Sequence, residues 1–429
     1  MTFNIITFGC KVNQCESENI RKSMTQSNFH FVPEYDRAKV VIINSCTVTG
    51  ESDRKLRQMI NRIKRINRDC ILILTGCMPQ AEPDLAKSME SVDIIVGNSD
   101  KAFIPKILND YLEEHKRIVK IDSIKNIVKF EKVAINHLQD RCRAFLKIQD
   151  GCNRFCSYCI IPYARGRVRS KPLDEIKKDV EIMAENNYKE VVLVGINLSS
   201  YGMDLGYDLF DAVSTISKIP GVERIRLGSL EPDLMTDDLI NKLSDEPKLC
   251  PQFHLSLQSG SDKILKNMRR RYDRNEYLEV IRKLDTKFKN AVFTTDIMVG
   301  FPGETDEDFE DTLRIIDEAQ FLKVHVFPYS PRPGTLAFSM KNQINGNVKS
   351  ERVKKVIEKS EKCSKIVLNK FLNDFDYVLY ETIDKNGFYE GYTSNYIPVK
   401  SQCGEDIRGK IVKTYLSDIK GNYVIGLFK

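Results

Sequence analysis

The sequence predicts an α/β protein in three parts. An N-terminal open parallel α/β domain spans 1–115, a central partial (β/α)6 barrel spans 138–368, and a small antiparallel β-barrel spans 370–429. Three observations predict it. In the first hundred residues, continuous apolar runs alternate with amphipathic helical patterns, as in parallel strands covered on both faces. Six further strand–helix repeats follow. After residue 370 the pattern becomes short β-like runs with glycine-containing turns. A chain of 429 residues accommodates several domains at ~100–200 residues each.

In order along the chain, residues 3–8, 40–44 and 70–75 read as short buried strands. Residues 52–67 read as a helix, with Leu56, Met59, Ile60, Ile63 and Ile66 on one apolar stripe. The mixed stretch 115–142 reads as a linker. Strand candidates then recur at 144–149, 190–194, 222–227, 253–258, 291–298 and 322–327, with helices such as 172–187 and 304–320 between them. The latter opens on Glu304-Thr305-Asp306-Glu307-Asp308, acids where a helix N-terminus favours them. In parallel barrels the chemistry sits in loops at the C-terminal ends of strands. Residues 346–369 read as a helix rich in Lys and Glu. The final strands are expected around Tyr377–Tyr380, Gly391–Thr393, Tyr396–Val399, Gly409–Val412 and Tyr423–Gly426.

Hydrophobic residues make up 41% and charged residues 29%, which excludes a disordered chain. The longest apolar stretches, such as Val40–Ile43 and Ile71–Leu74, fall far short of the ~18 residues that span a bilayer, so no membrane partner is expected. Met1-Thr2-Phe3-Asn4 has no basic n-region, so a cytoplasmic location is expected. There, 12 cysteines point to metal ligation or redox chemistry rather than disulfides. The net charge of +6 is too mild to name a partner. Its distribution is uneven, with Arg54, Lys55, Arg57, Arg62, Lys64, Arg65 and Arg68 falling in a stretch without an acid. A second basic run holds Arg165, Arg167, Arg169 and Lys171. Taken alone, either run reads as a solvated face.

The sharpest signal is Cys152-Asn-Arg-Phe-Cys156-Ser-Tyr-Cys159, three thiols within eight residues of one loop. Thiolates suit zinc and iron–sulfur clusters. No fourth cysteine lies close by and the nearest histidine is His137, which argues against a closed four-ligand zinc site. Three protein ligands on a four-iron cluster leave one iron for a substrate or cosubstrate; zinc and surface thiols are the alternatives. The second signal is positional, because Cys10, Cys46 and Cys77 each follow one of the first three strands. Ligands of open α/β sheets bind outside the carboxyl ends of strands, and neighbouring strands lie ~4.8 Å apart. These loops are therefore placed to converge on a second cluster, the alternative being three unrelated buried cysteines. Cys15, Cys70, Cys142, Cys250, Cys363 and Cys403 share no spacing and read as core or free thiols.

At these residues, and in the continuation Ile160-Ile-Pro-Tyr163-Ala-Arg165-Gly-Arg167-Val-Arg169-Ser170, the chain closely resembles the radical S-adenosylmethionine (SAM) methylthiotransferases. The resemblance covers nearly the whole length and implies an N-terminal methylthiotransferase domain, a radical SAM partial barrel and a C-terminal TRAM-like domain. It implies two [4Fe-4S] clusters: one on Cys152, Cys156 and Cys159 that binds SAM, and an auxiliary one on Cys10, Cys46 and Cys77 that delivers sulfur. It also implies SAM contacts from Tyr158, Gly195, Asn197, Glu231, Gln258 and Arg270, and catalysis by no residue beyond the cluster ligands. The segments Thr7-Phe-Gly-Cys10-Lys-Val-Asn-Gln14 and Asn44-Ser-Cys46-Thr-Val-Thr49, with Asp53-Arg54-Lys55, resemble the threonylcarbamoyl branch. That branch implies a tRNA anticodon stem-loop as substrate, methylthiolated at carbon 2 of N6-threonylcarbamoyladenosine 37. The basic helix face would contact phosphates, and an electron donor such as flavodoxin or ferredoxin and a sulfur source would be needed. Isopentenyladenosine in tRNA and a ribosomal protein are the alternative substrates, and a non-catalytic RNA-binding iron–sulfur protein is the alternative from another class. Met78-Pro79-Gln80 departs from the aromatic and small residues the family more often carries there. The TRAM-like region is electrically neutral, with eight basic and eight acidic residues over 370–429, which weakens it as the main RNA clamp.

Overall fold

The computed structural model describes residues 1–124, 127, 129–131 and 142–428. The chain divides into two compact units: Met1–Asn136 with Gln149–Lys171 and Ser330–Phe338, and His137–Ile148 with Pro172–Tyr329 and Ser339–Lys429.

In the first unit, β1 (Thr2–Thr7), β2 (His30–Phe31), β3 (Val40–Ser45), β4 (Ile71–Gly76), β5 (Ile94–Val96) and β6 (Ile118–Lys120) form one parallel sheet. Its order is β2-β1-β3-β4-β5-β6. β3 is buried along its whole length and β4 beyond its first residue, which is why both are uninterrupted apolar runs. Between them runs α2 (Gly50–Ile66), and α1 (Lys11–Gln26) follows β1. Thr49 caps α2 by accepting from the Ser52 N–H, so the helix starts two residues earlier than the expected 52. Leu56, Ile60 and Ile63 pack with Val41, Ile43, Leu72 and Leu74, while Ile66, the last residue of the stripe, is exposed. β2, β5 and β6 are too short for periodicity to reveal. β6 lies in the stretch read as a linker; residues 125, 126, 128 and 132–141 of that stretch, His137 among them, lie outside the described residues. A two-residue hairpin, Gln149–Asp150 against Arg169–Ser170, closes the loop that carries Cys152, Cys156 and Cys159.

The second unit holds six parallel β/α steps. Arg143–Lys147, Glu190–Val194 and Arg224–Leu227 pair in one sheet, and Ser229–Leu230, Gln252–Leu255, Val292–Val299 and Lys323–Pro328 in the next. The third strand runs through Gly228 from one sheet into the other, giving an open partial barrel. The helix expected at 304–320 spans Asp306–Ala319 and begins with a Thr305–Asp308 capping box. The Lys- and Glu-rich helix spans Gly346–Asn369.

The closing five strands, Asp374–Ile383, Tyr389–Thr393, Pro398–Ser401, Ile411–Lys420 and Tyr423–Leu427, form a closed barrel around Val378, Tyr380, Val399, Leu416 and Val424. Its pairings are antiparallel except Pro398–Ser401 with Tyr423–Leu427, which is parallel. This small barrel sits on the N-terminal ends of the larger barrel's strands. Arg224 donates to the carbonyls of Tyr377 (2.6 Å) and Tyr392 (3.3 Å), and Arg226 donates to Glu190 (2.6 Å) and the Ser394 carbonyl (2.9 Å). Arg143 pairs with Glu381 at 2.8 Å. The guanidinium groups of Arg143 and Arg226 also lie over the Tyr396 ring. Among the described residues no helix is long and apolar enough to cross a membrane.

Candidate functional site

β1 and β3 are neighbours at the point where the strand order reverses, the place where open α/β sheets bind ligands. Thr7 is in register with Asn44, and Asn44 with Thr75. Cys10, Cys46 and Cys77 lie two or three residues beyond that line, so the parallel register brings their loops side by side. Two glycines make the turns possible. Gly9 has φ +108°, and a Cβ there would lie 2.8 Å from the Cys46 Cβ and 3.1 Å from its Sγ. Gly76 has φ +103°, with the Ser45 carbonyl 2.3 Å from such a Cβ. Cys46 lies within electrostatic reach of Cys77 and Cys10. Burial pushes the Cys46 thiol up to about 11, and charge on Cys77 and on Cys10 adds to the rise. Burial also raises Cys77, against the pull of Arg165 and Lys101. Cys10 is exposed while Cys46 and Cys77 are buried, so the triad opens on one side. Ligation requires thiolates, and a bound cation offsets the burial that otherwise protonates these sulfurs. The Val48 N–H points at the Cys46 Sγ, 3.5 Å away. Three thiols on neighbouring strand-end loops, one of them facing an amide, are the donor type an iron–sulfur cluster takes, although among the described residues no group of three or more His, Cys, Asp or Glu side chains is arranged to hold a metal ion.

A fully buried ion network braces this triad. Arg165 donates from Nη1 to Glu16 at 2.6 Å, from Nη2 to Asn13 at 2.6 Å and from Nε to the Cys77 Sγ at 3.2 Å. It also pairs with Asp150 at 3.2 Å, and Lys101 closes on the other side of Glu16. Asn13 donates to the carbonyls of Phe8 (2.8 Å) and Ser45 (3.0 Å), tying the loops after β1 and β3 together. The run Arg165, Arg167, Arg169 and Lys171 is thus not a solvated face, since only Arg167 is exposed. The reason is local: Arg165 ends a one-turn helix, Ile161–Arg165, whose buried side meets α1 residues rather than water. Sequence reasoning missed Glu16, Lys101, Asp150 and the role of Arg165, because their meeting is entirely long-range. On α2 and the turn after it the reading holds: Arg54, Lys55, Arg57, Arg62, Arg65 and, past the helix end, Arg68 are exposed, and Lys64 pairs with Asp93 at 2.9 Å.

The second triad is local. Cys152, Cys156 and Cys159 are all half-buried, and the Cys159 N–H donates to the Cys156 carbonyl at 3.0 Å. The Arg154 N–H points at the Cys152 Sγ at 3.4 Å. Gly151, at φ +71°, brings the loop onto the Arg167 carbonyl, where a Cβ would sit 1.8 Å away. Three thiols on one short loop, one of them facing an amide, are likewise the donor type an iron–sulfur cluster takes. Tyr158 is half-buried in the same loop. No disulfide involves a cysteine among the described residues.

In the second unit, Gly195 and Asn197 end the strand Glu190–Val194, and Asn197 is buried. Glu231 follows Ser229–Leu230 and is paired with Arg270, whose Nη2 donates to it at 2.5 Å and to the Ser256 carbonyl at 3.1 Å. Two of the residues that the resemblance offers to SAM thus engage each other. Gln258 is buried at φ +71°, and its Oε1 has no hydrogen-bond partner in the structure, as expected of a side chain that serves a polar ligand. Deeper in the same barrel, the His254 ring contacts Thr294 at 2.9 Å and Asp296 at 3.2 Å.

Comparison with known proteins follows this geometry. The radical SAM superfamily model matches residues 146–316, and the uncharacterized protein family UPF0004 matches residues 2–97. The threonylcarbamoyladenosine tRNA methylthiotransferase MtaB of Bacillus subtilis (strain 168) is 37% identical over 423 residues, 97% of this chain and 93% of that one. The protein of the same name from Thermotoga maritima is 38% identical over 92% of this chain and 90% of its own. The tRNA-2-methylthio-N(6)-dimethylallyladenosine synthase of Acetivibrio thermocellus is 33% identical over 96% of this chain and 88% of its own. Among solved structures, the radical SAM methyltransferase TsrM from Kitasatospora setae superposes with a TM-score of 0.59 at 11% identity, covering 79% of this chain and 75% of that one. At that identity the likeness speaks to fold alone.

Proposed function

The chain belongs to the radical SAM methylthiotransferase family, and from that premise we propose that it methylthiolates carbon 2 of N6-threonylcarbamoyladenosine at position 37 of tRNA. It is a radical SAM transferase that uses SAM and [4Fe-4S] clusters. The observation that carries the finer reading is the pair of thiol triads in one compact unit, set in a chain 37–38% identical to relatives named for that substrate. In this reading Cys152, Cys156 and Cys159 hold one cluster and Cys10, Cys46 and Cys77 the other. Bound there, the clusters supply reductive cleavage of SAM and the sulfur to be transferred.

The chain's own residues then have defined tasks. Gly9 and Gly76 let the strand-end sulfurs approach, and Asn13 and Arg165 hold their loops. Of the residues expected to contact SAM, Gly195, Asn197, Glu231, Gln258 and Arg270 belong to the second unit, where Arg270 holds the Glu231 carboxylate in place. The exposed cations of α2 contact phosphates of the anticodon stem-loop, and the target base leaves the stack to be modified. An electron donor such as flavodoxin or ferredoxin, and a sulfur source, complete the cycle.

The test is nucleoside analysis of tRNA from a strain lacking this chain. The 2-methylthio derivative of threonylcarbamoyladenosine is expected to vanish and to return on complementation. Relatives named for dimethylallyladenosine are 33–35% identical, so loss of that methylthio nucleoside instead would replace the proposed substrate, and an unchanged profile would overturn both.

A further inference from the structure

The loop of the second triad carries aromatic side chains that the chemistry above leaves unused. Tyr163 sits four residues after Cys159 on the one-turn helix Ile161–Arg165 and is 49% exposed. Its ring meets the edge of Phe155, the neighbour of Cys156, at 5.8 Å and 85°. The Arg167 guanidinium covers Phe155 at 4.8 Å and is itself exposed. The group is rigidly mounted. The Tyr163 and Ala164 N–H groups both donate to the Ile160 carbonyl, and Gly151 locks the loop against Arg167. Leu336 and Phe338 lie exposed in the segment whose Ala337 N–H donates to the Ser157 carbonyl at 2.8 Å. No acid occurs from Gly151 to Lys171.

An exposed, pre-oriented ring on a segment without acids, its partner ring covered by an arginine, suits a flat, electron-rich partner tied to phosphate, which is a nucleobase of single-stranded RNA. An apolar protein segment would gain nothing from the cation. Resting on the tRNA reading, we infer that Tyr163, with Phe155 and Arg167 behind it, is the platform on which a base flanking the modified adenosine stacks. A base splayed from its loop leaves its neighbours unstacked, and such a platform replaces the lost stacking. Tyr163 is a positioning residue here, since the reacting atoms lie elsewhere.

The test uses the full, cluster-reconstituted chain and an anticodon stem-loop carrying fluorescent 2-aminopurine beside position 37. Binding is expected to quench the probe in the wild type and in Tyr163→Phe. Tyr163→Ala, and Tyr163→Leu, which keeps apolar bulk without a π face, are expected to lose the quench and to bind about 5- to 150-fold more weakly. Iron content and circular dichroism of each variant establish that it is folded. Quenching and affinity equal to wild type in both variants overturn the inference while leaving the tRNA reading intact. Failure of the wild type to bind the stem-loop refutes that reading itself.

Discussion

The two thiol triads solve one problem in opposite ways. Cys152, Cys156 and Cys159 come from one eight-residue loop and remain half-buried. Cys10, Cys46 and Cys77 come from three loops up to 67 residues apart, and two of them are buried. The local triad needs only its hairpin and Gly151 to stay together. The dispersed triad needs a correct sheet register, two left-handed glycines and a buried ion network. Sequence proximity thus substitutes for scaffolding, and where it is absent the scaffold carries the site.

The largest expected effect tests whether the triads are separable. Cys156→Ala should abolish formation of 5′-deoxyadenosine from SAM with dithionite. Cys46→Ala should retain it, lose about half of roughly eight irons per chain and form no methylthio product. Equal loss in both variants would merge the two sites. Next comes the scaffold: Arg165→Met leaves the buried Glu16 with Lys101 alone and Asp150 with Arg169 alone, with an expected cost of at most about 3–5 kcal/mol in urea unfolding. The dispersed triad should lose iron first, which iron counting combined with the 5′-deoxyadenosine assay reads directly. Gly9→Ala is milder. Strain at φ +108° and the approach to Cys46 should cost about 1–3 kcal/mol and lower iron at the dispersed triad alone.

The smallest effect lies in the second unit and serves as a metal-independent reference. Burial opposes the Asp308 carboxylate, but hydrogen bonds from Lys263, the Thr305 N–H and Ser261 hold it down at about 2. A carboxyl depressed in the folded state stabilises above its unfolded value of 3.8 and loses that contribution as pH falls towards 2. Hydrogen exchange over helix Asp306–Ala319 should therefore quicken across that window equally with and without iron.

Legibility in the sequence follows the same division. The spacing of Cys152, Cys156 and Cys159 is visible to the eye, and the strand-end cysteines become visible once β1, β3 and β4 are read as parallel. Arg165 is opaque, because nothing local to residue 165 announces Asn13, Glu16, Cys77 or Lys101. Its neighbour Arg167 is what a basic run leads one to expect, an exposed cation. The Glu231–Arg270 pair is hidden for the same reason, and β2, β5 and β6 are too brief to leave a pattern.

The anchoring of the C-terminal barrel has a consequence of its own. Arg143 and Arg224 clasp it at the starts of strands only four or five residues long, and Arg226 two residues further on. At ~3.3 Å per residue, those strands set it about 15 Å from the rim where they end. Held by arginines that are buried or half-buried rather than by a flexible tether, it keeps its distance from that rim constant.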